Sequence, residues 1–366
     1  IQYSVKFNGL QSDDFQSNIG ILAGDPASPH LWNIFLSDFK TSPHPHDPKL
    51  NNIPIPHLEQ ADDMALLSKS LHGLQIKMHE LHHWCGVNFL LINIIKSLAV
   101  AVNSPTPSVK LKMGDACIKW TNEYCYIGTV FSAQKHNSFD THYQTQAKKA
   151  RNAANVILGL QTHVGAIAPA HGRTLYFARI DPYLTFGCEV CIDLRNSNLA
   201  MLQKVQNTFL RAILRLNPKS ITAVLFSETN IMPIAYRRLY LALKFLAYLL
   251  SLPHSHYARI ALDDSMALHS QHHKSWYSDL LQALQKIPLS EPLVLPPNPQ
   301  SWSSQTASDL AKNLCTLCDK YLLSCLQHLR SRLPLLQGRT DKIDRNVYAP
   351  KGLLFRHYLH VDIYDH

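Results

Sequence analysis

HLEQADDMALLSKS, residues 57–70, places two adjacent aspartates, Asp62 and Asp63, inside an otherwise apolar segment. The pattern predicts a strand, a tight turn and a second strand, with the acids at the tip of the hairpin. Charged residues seldom sit in a half-buried strand without a task. Hard carboxylate oxygens on a rigid turn suit Mg²⁺, which demands tight octahedral geometry. An Asp-Asp pair alone is more often a solvated turn, so its neighbours decide between the two readings.

Upstream, IQYSVKFNGL alternates polar and apolar residues and ends in Asn8-Gly9, a hairpin turn pair. In GILAGDPASPHLWNIFLSDF, residues 20–39, Gly20, Gly24 and Pro26 make a loop. Pro29 suits the first turn of a helix, on which Leu31, Ile34, Phe35 and Phe39 recur at helical spacing. TSPHPHDPKLNNIPIP, residues 41–56, is interrupted by five prolines and is predicted to be a surface loop.

Downstream, residues 69–88 read as an amphipathic helix with Leu71, Leu74, Met78, Leu81 and Cys85 on one stripe. LLINIIKSLAVAV, residues 90–102, fits a strand pair, and CIKWTNEYCYIGTVFS, residues 117–132, closes an α+β portion. From about residue 135 the pattern turns helical, and LSEPLVLPPNPQSWSS, residues 289–304, reads as a Pro- and Ser-rich linker. A last helical segment follows, and no internal repeat occurs.

The bulk numbers fit a folded protein of two or three domains: 366 residues, 46% hydrophobic and 17% charged. A net charge of +9 points to a polyanion partner, nucleic acid first and an anionic membrane second, or to a protein that simply is basic. The longest apolar run, Leu239 to Pro253, contains Lys244 and is too short to span a bilayer, so no membrane partner is expected. No secretory signal is seen, and eight scattered cysteines imply reduced thiols inside a cell, nucleus or cytoplasm being left open.

Two further motifs have metal-ligand spacing. His79-Glu80-Leu81-His82-His83 fits a zinc-protease pattern, but His79 and His83 fall on the side of the helix away from its apolar stripe and should face solvent. Cys188-x-x-Cys191 and Cys315-x-x-Cys318 lie far apart, in predicted regular elements without the turns that zinc sites favour. Both motifs read better as a solvated face and as core packing. No phosphate-binding P-loop, dinucleotide fingerprint or nucleophile elbow occurs.

Taken in order, Gly20-x-x-x-Gly24-x-x-x-Ser28-Pro29, Asp62-Asp63, Asn93-x-x-Lys96 and Tyr126-Ile127-Gly128 form a set. That set resembles the palm of reverse transcriptases, most closely those of non-LTR (LINE-type) retrotransposons. The resemblance covers residues 1–132 by motif and continues more loosely through FSETNIMPIAYRRLYLALKFLAYLL, residues 226–250.

The resemblance implies an α+β fold: a partial palm (1–132), a helical thumb-like region (133–253), a connecting segment (254–303) and a C-terminal helical region (304–366). It implies RNA-directed DNA polymerase chemistry, a nucleotidyl transfer, with an RNA template, a DNA primer and deoxynucleoside triphosphates as partners. Asp62 and Asp63 match the catalytic pair that holds two Mg²⁺. Lys96 matches the cation near the departing pyrophosphate. Gly24, Ser28 and Pro29 match the nucleotide- and template-binding loop, and Tyr126 and Gly128 the primer grip. Lys148, Lys149, Arg151 and Arg173 lie on predicted thumb helices, where contacts to the nucleic-acid backbone are expected.

Ala23 and Gln60 depart from the family pattern, which has Gln and an aromatic residue there. The family's third aspartate belongs on a first palm strand expected before Ile1, as are the fingers. Asp13 and Asp14 lack the strand and helix that would make them substitutes. The expectation is therefore an N-terminally truncated polymerase fragment, inactive by itself. A non-enzymatic nucleic-acid-binding remnant is the alternative.

Overall fold

The computed structural model describes residues 2–16, 20–21, 24–134 and 138–328; Ala23 and residues 329–366 of the expected C-terminal region lie outside these. The chain forms two compact units, one from residues 1–101 and 105–121, the other from 102–104 and 122 onward. The expected break near residue 132 thus falls earlier, after Thr121.

The first unit opens with two-residue strands β1 (Gln2–Tyr3), β2 (Lys6–Phe7), β3 (Leu10–Gln11) and β4 (Phe15–Gln16), with the β2–β3 hairpin nested between β1 and β4. Asn8 and Gly9 both take positive φ, 47° and 78°, as the Asn-Gly pair predicts. Asp13 and Asp14 lie between β3 and β4, outside any strand. Helix α1 (Ser28–Leu36) follows, with Pro29 in its first turn. Of its expected apolar stripe only Phe39 reaches the core: Leu31 and Ile34 are 52% and 70% exposed. Leu36, and Phe39 beyond the helix end, are buried instead.

The Pro-rich loop carries a small hairpin, β5 (Lys49–Leu50) and β6 (Ile53–Pro54), turned by Asn51 and Asn52 at φ 46° and 65°. It is tied down by Asp47, whose carboxylate accepts from Lys77 with both side chains almost wholly buried. Lys77 also donates to the Leu67 carbonyl at 2.8 Å.

Strands β7 (His57–Gln60) and β8 (Asp63–Leu66) form the predicted hairpin, and α2 (Leu71–Val87) the predicted helix, its Ser70 hydroxyl accepting from the Gly73 N–H. Met78, Leu81 and Cys85 of α2 are buried with Phe39, Leu111, Met113 and Ile118, and Met64 and Leu66 pack against them. β9 (Leu98–Ala99), β10 (Leu111–Met113) and β11 (Ala116–Trp120) make a three-stranded sheet of order β10-β11-β9. The strand pair expected over residues 90–102 shrinks to β9. Asn93 takes the Lys96 N–H on its side chain and the Ser97 N–H on its carbonyl, folding the chain into a turn.

The second unit starts with the hairpin β12 (Glu123–Tyr126) and β13 (Thr129–Ser132). Helices follow: α3 (Asp140–Val164), α4 (Pro169–Leu175), a π-helical turn (Tyr176–Ile180), α5 (Asp181–Thr185), α6 (Asn196–Ile213), α7 (Thr222–Thr229), α8 (Ile234–Ser251), α9 (Tyr257–Ser270), α10 (Trp276–Lys286) and α11 (Ser304–His328). One core runs from Tyr143 of α3 to Leu326 of α11. The segment expected to be a linker packs on it through Leu289, Leu293, Leu295 and Trp302. Among the described residues, the three regions expected after residue 132 therefore share one core.

Buried Arg238 of α8 ties this unit together. It pairs with Asp193 at 2.9 Å and donates to the Leu184 and Cys191 carbonyls and the Tyr143 hydroxyl. No described helix is long and apolar enough to cross a membrane.

Candidate functional site

The β7–β8 hairpin turns in two residues, Ala61 and Asp62, with Gln60 paired to Asp63. Ala61 takes φ +53°, a value that favours glycine and is uncommon for a residue with a side chain. Side chains alternate along β8, so Met64 and Leu66 turn to the core while Asp63 starts on the other face. Asp62 and Asp63 are both exposed at the tip. Neither carboxylate is engaged in an ion pair among the described residues.

The loop before α1 is shaped by a left-handed glycine and an Asp25 turn. Gly24 takes φ +90°, with open space where a Cβ would stand, so conformation rather than crowding calls for glycine there. The Asp25 carboxylate accepts from the Ala27 N–H at 2.8 Å and its carbonyl from the Ser28 N–H at 3.1 Å, bending the chain into the helix. Ser28 is buried and Pro29 opens the helix. Lys96 is exposed on the turn that Asn93 organises. Asp62, Asp63, Gly24, Ser28, Pro29 and Lys96 thus share the first unit, and among the described residues no ion pair joins Lys96 to either aspartate.

Tyr126 and Gly128 lie in the second unit, on the β12–β13 hairpin. Ile127 and Gly128 both take positive φ, 48° and 75°, as a tight hairpin turn requires. A Cβ on Gly128 would stand 2.7 Å from the Phe186 ring, so glycine is needed there for packing as well. The His142 ring accepts from the Val130 N–H at 3.4 Å and meets the Phe186 carbonyl at 3.1 Å, holding the hairpin to α3. Burial, opposed by the Phe186 carbonyl and aided by the nearby Arg238 and Lys149 charges, lowers the pKa of this imidazole.

Lys148, Lys149 and Arg151 are exposed on α3, as a phosphate-contacting face would need. Arg173 departs from the expectation. It is 8% exposed, and its guanidinium lies over the Phe177 ring at 5.0 Å, turned inward on α4.

The remaining motifs take structural roles. Glu80 accepts from the Ser42 N–H, and His82 lies against Gly114. Cys188 and Cys191 are buried, and burial pushes the Cys191 thiol up to about 12, far from a reactive thiolate. Among the described residues, no three His, Cys, Asp or Glu side chains gather as a metal-binding group. Asp62 and Asp63 therefore offer two free carboxylates for a hard cation, with its other positions left to water or further ligands.

Sequence reasoning missed Lys77, Asp47, Asp193 and Arg238, whose buried pairings shape both units. For Lys77 and Arg238 the signal was a charged residue inside an apolar helix; Asp47 and Asp193 lie in loops and gave none.

No family model matches the chain. Over 142 residues, 36% of its length, it is 26% identical to the Retrovirus-related Pol polyprotein from type-2 retrotransposable element R2DM of Drosophila melanogaster. The match spans 13% of that polyprotein. The chain is thus similar to part of a retrotransposon Pol polyprotein.

Proposed function

We propose that this chain is part of a retrotransposon reverse transcriptase, an RNA-directed DNA polymerase of the non-LTR type. The observation that carries the reading is the Asp62-Asp63 pair, free and exposed at the tip of a two-residue hairpin, in a chain similar to a Pol polyprotein. In the intact enzyme a primer 3′-hydroxyl attacks the α-phosphorus of a deoxynucleoside triphosphate and pyrophosphate leaves. Two Mg²⁺, when bound, stabilise the attacking and leaving oxygens. Asp62 and Asp63 hold their side of that metal site. Lys96 offsets charge on the departing pyrophosphate. The Gly24–Pro29 loop lets backbone come close to the nucleotide, and Tyr126 and Gly128 support the primer end. Lys148, Lys149 and Arg151 bind phosphates of the RNA–DNA duplex whatever its sequence.

The polypeptide is expected to bind primer–template, and any Mg²⁺-dependent extension that it shows should be abolished by Asp62→Asn. Extension that survives Asp62→Asn would overturn the role of the pair. For the metal site, Mn²⁺ binding followed by electron paramagnetic resonance should be weak and should disappear in the Asp62→Asn/Asp63→Asn variant. Equal Mn²⁺ binding by that variant would sink the assignment. A nucleic-acid-binding remnant without a metal site is the second reading, favoured by the exposed cations of α3; it predicts salt-sensitive binding with no Mn²⁺ signal.

A further inference from the structure

The C-terminal half of α6 carries a charge pattern that the candidate site does not use. Between Asp193 and Glu228 the sequence holds five cations and no carboxylate. Arg195 is taken by Asp140. Lys204, Arg211, Arg215 and Lys219 make no ion pair among the described residues. Lys204 and Arg211 line a groove of about 600 Å³ with Gln203, Asn207 and Thr208 of α6, and Arg215 and Lys219 are next in sequence to two more of its lining residues, Leu216 and Pro218.

The groove is built rather than incidental. The Arg211 guanidinium donates to the Ser220 carbonyl at 3.0 Å and to the Ser220 and Thr222 hydroxyls at 3.3 Å, drawing the loop back over the helix end. The helix closes in a Schellman motif: the Leu216 N–H donates to the Arg211 carbonyl at 2.9 Å and the Arg215 N–H to the Ala212 carbonyl at 3.2 Å. Arg215 holds the left-handed position of that motif at φ +52°, where glycine is the usual residue.

A cation at a helix C-terminus complements the macrodipole. Arg211, in the last turn, already does so without a left-handed backbone. Lys204 lies about two turns earlier and Lys219 lies beyond the helix, so the dipole accounts for neither. Asn207 lines the groove, and its Oδ1 has no protein partner among the described residues.

We propose that this groove binds a single-stranded polynucleotide, on a helix other than the one bearing Lys148, Lys149 and Arg151. Cations spaced along a groove match successive phosphates better than one phosphate, and the amides and hydroxyl of Gln203, Asn207 and Thr208 suit sugar and base edges. The inference deepens the polymerase reading and rests on it for the polymer's identity.

The test uses the full chain and a labelled single-stranded RNA of about 12 nucleotides, titrated over a range of NaCl. Lys204→Gln/Lys219→Gln should weaken binding tenfold or more and flatten the log–log salt slope by about 1.4, near 0.7 for each lost phosphate contact. Arg215→Gly should also weaken binding while keeping or raising the melting temperature, which separates lost contact from lost fold. Unchanged affinity and slope in both variants would overturn the proposal, as would polyglutamate competing as well as RNA. If Lys148→Gln/Lys149→Gln/Arg151→Gln alone abolishes binding, the groove falls and the polymerase reading stands. If the unaltered chain binds neither RNA nor DNA, both fall together.

Discussion

Lys77 has no solvent exposure, and its ammonium depends on Asp47 and the Leu67 carbonyl for all its compensation. Removing one partner strands a buried charge, so Lys77→Met should lower stability by about 3–5 kcal/mol in denaturant titrations. Lys77→Met combined with Asp47→Leu should lose less than the sum of the single changes. For Asp47, burial raises the pKa, but the Lys77 hydrogen bond, the His44 N–H and the Lys77 charge outweigh it and hold the carboxyl below its usual value. The contribution is therefore complete above about pH 4, the unfolded value, and is lost as pH falls through the lower folded value. His142 acts in the same pH direction, although here it is the charged form that burial disfavours. Its folded pKa is depressed, so the unfolded chain takes up the proton first, and stability should decline as pH falls below about 6.5. His142→Gln should remove that slope from the unfolding midpoint. Sequence showed the acids at 62 and 63 because alternation frames them. It hid the Asp47–Lys77 pair because partners 30 residues apart leave no periodic trace. It also misled at Arg173, where the packing of Phe177 turns a basic side chain inward.

At the scale of the element, two hairpins carry Asp62, Asp63, Tyr126 and Gly128 of the candidate site, and each holds a left-handed turn residue. Ala61→Gly should raise stability by about 0.5–1 kcal/mol by relieving its positive φ, whereas Ala61→Val should lower it by about 1–2 kcal/mol. Chemical denaturation of the two variants reads both signs. Gly128→Ala meets strain and the Phe186 ring together and should cost about 1–3 kcal/mol. Adding Phe186→Leu should return only the part that comes from the ring. The hairpins and the long helices were legible because period and turn chemistry agree along them. Helix α1 was legible as a helix but not in its environment: its apolar spacing forecasts a buried stripe, yet Leu31 and Ile34 face outward. Periodicity says which residues share a face and leaves open what covers it.

At the scale of the whole molecule, the two units have hydrophobic clusters with no residue in common. Hydrogen exchange should therefore show two opening free energies. Lys77→Met should lower the one reported by α2 amides, and Arg238→Met, which strands buried Asp193, the one reported by α8 amides. A uniform loss across both helices in either variant would contradict this. The division was only partly readable, because prolines at 292–299 look like a boundary although Leu293, Leu295 and Trp302 make that stretch part of a core. The early break after Thr121 has a practical outcome. Residues 122–328 hold nearly all of the second unit, its core and every cation of α3 and α6, but neither Asp62 nor Asp63. Expressed apart, that piece should fold and grip polynucleotide with no capacity to recruit a divalent ion. Holding the polymer and reacting with it would then be divisible labours, assigned to stretches of chain that can be prepared in separate tubes.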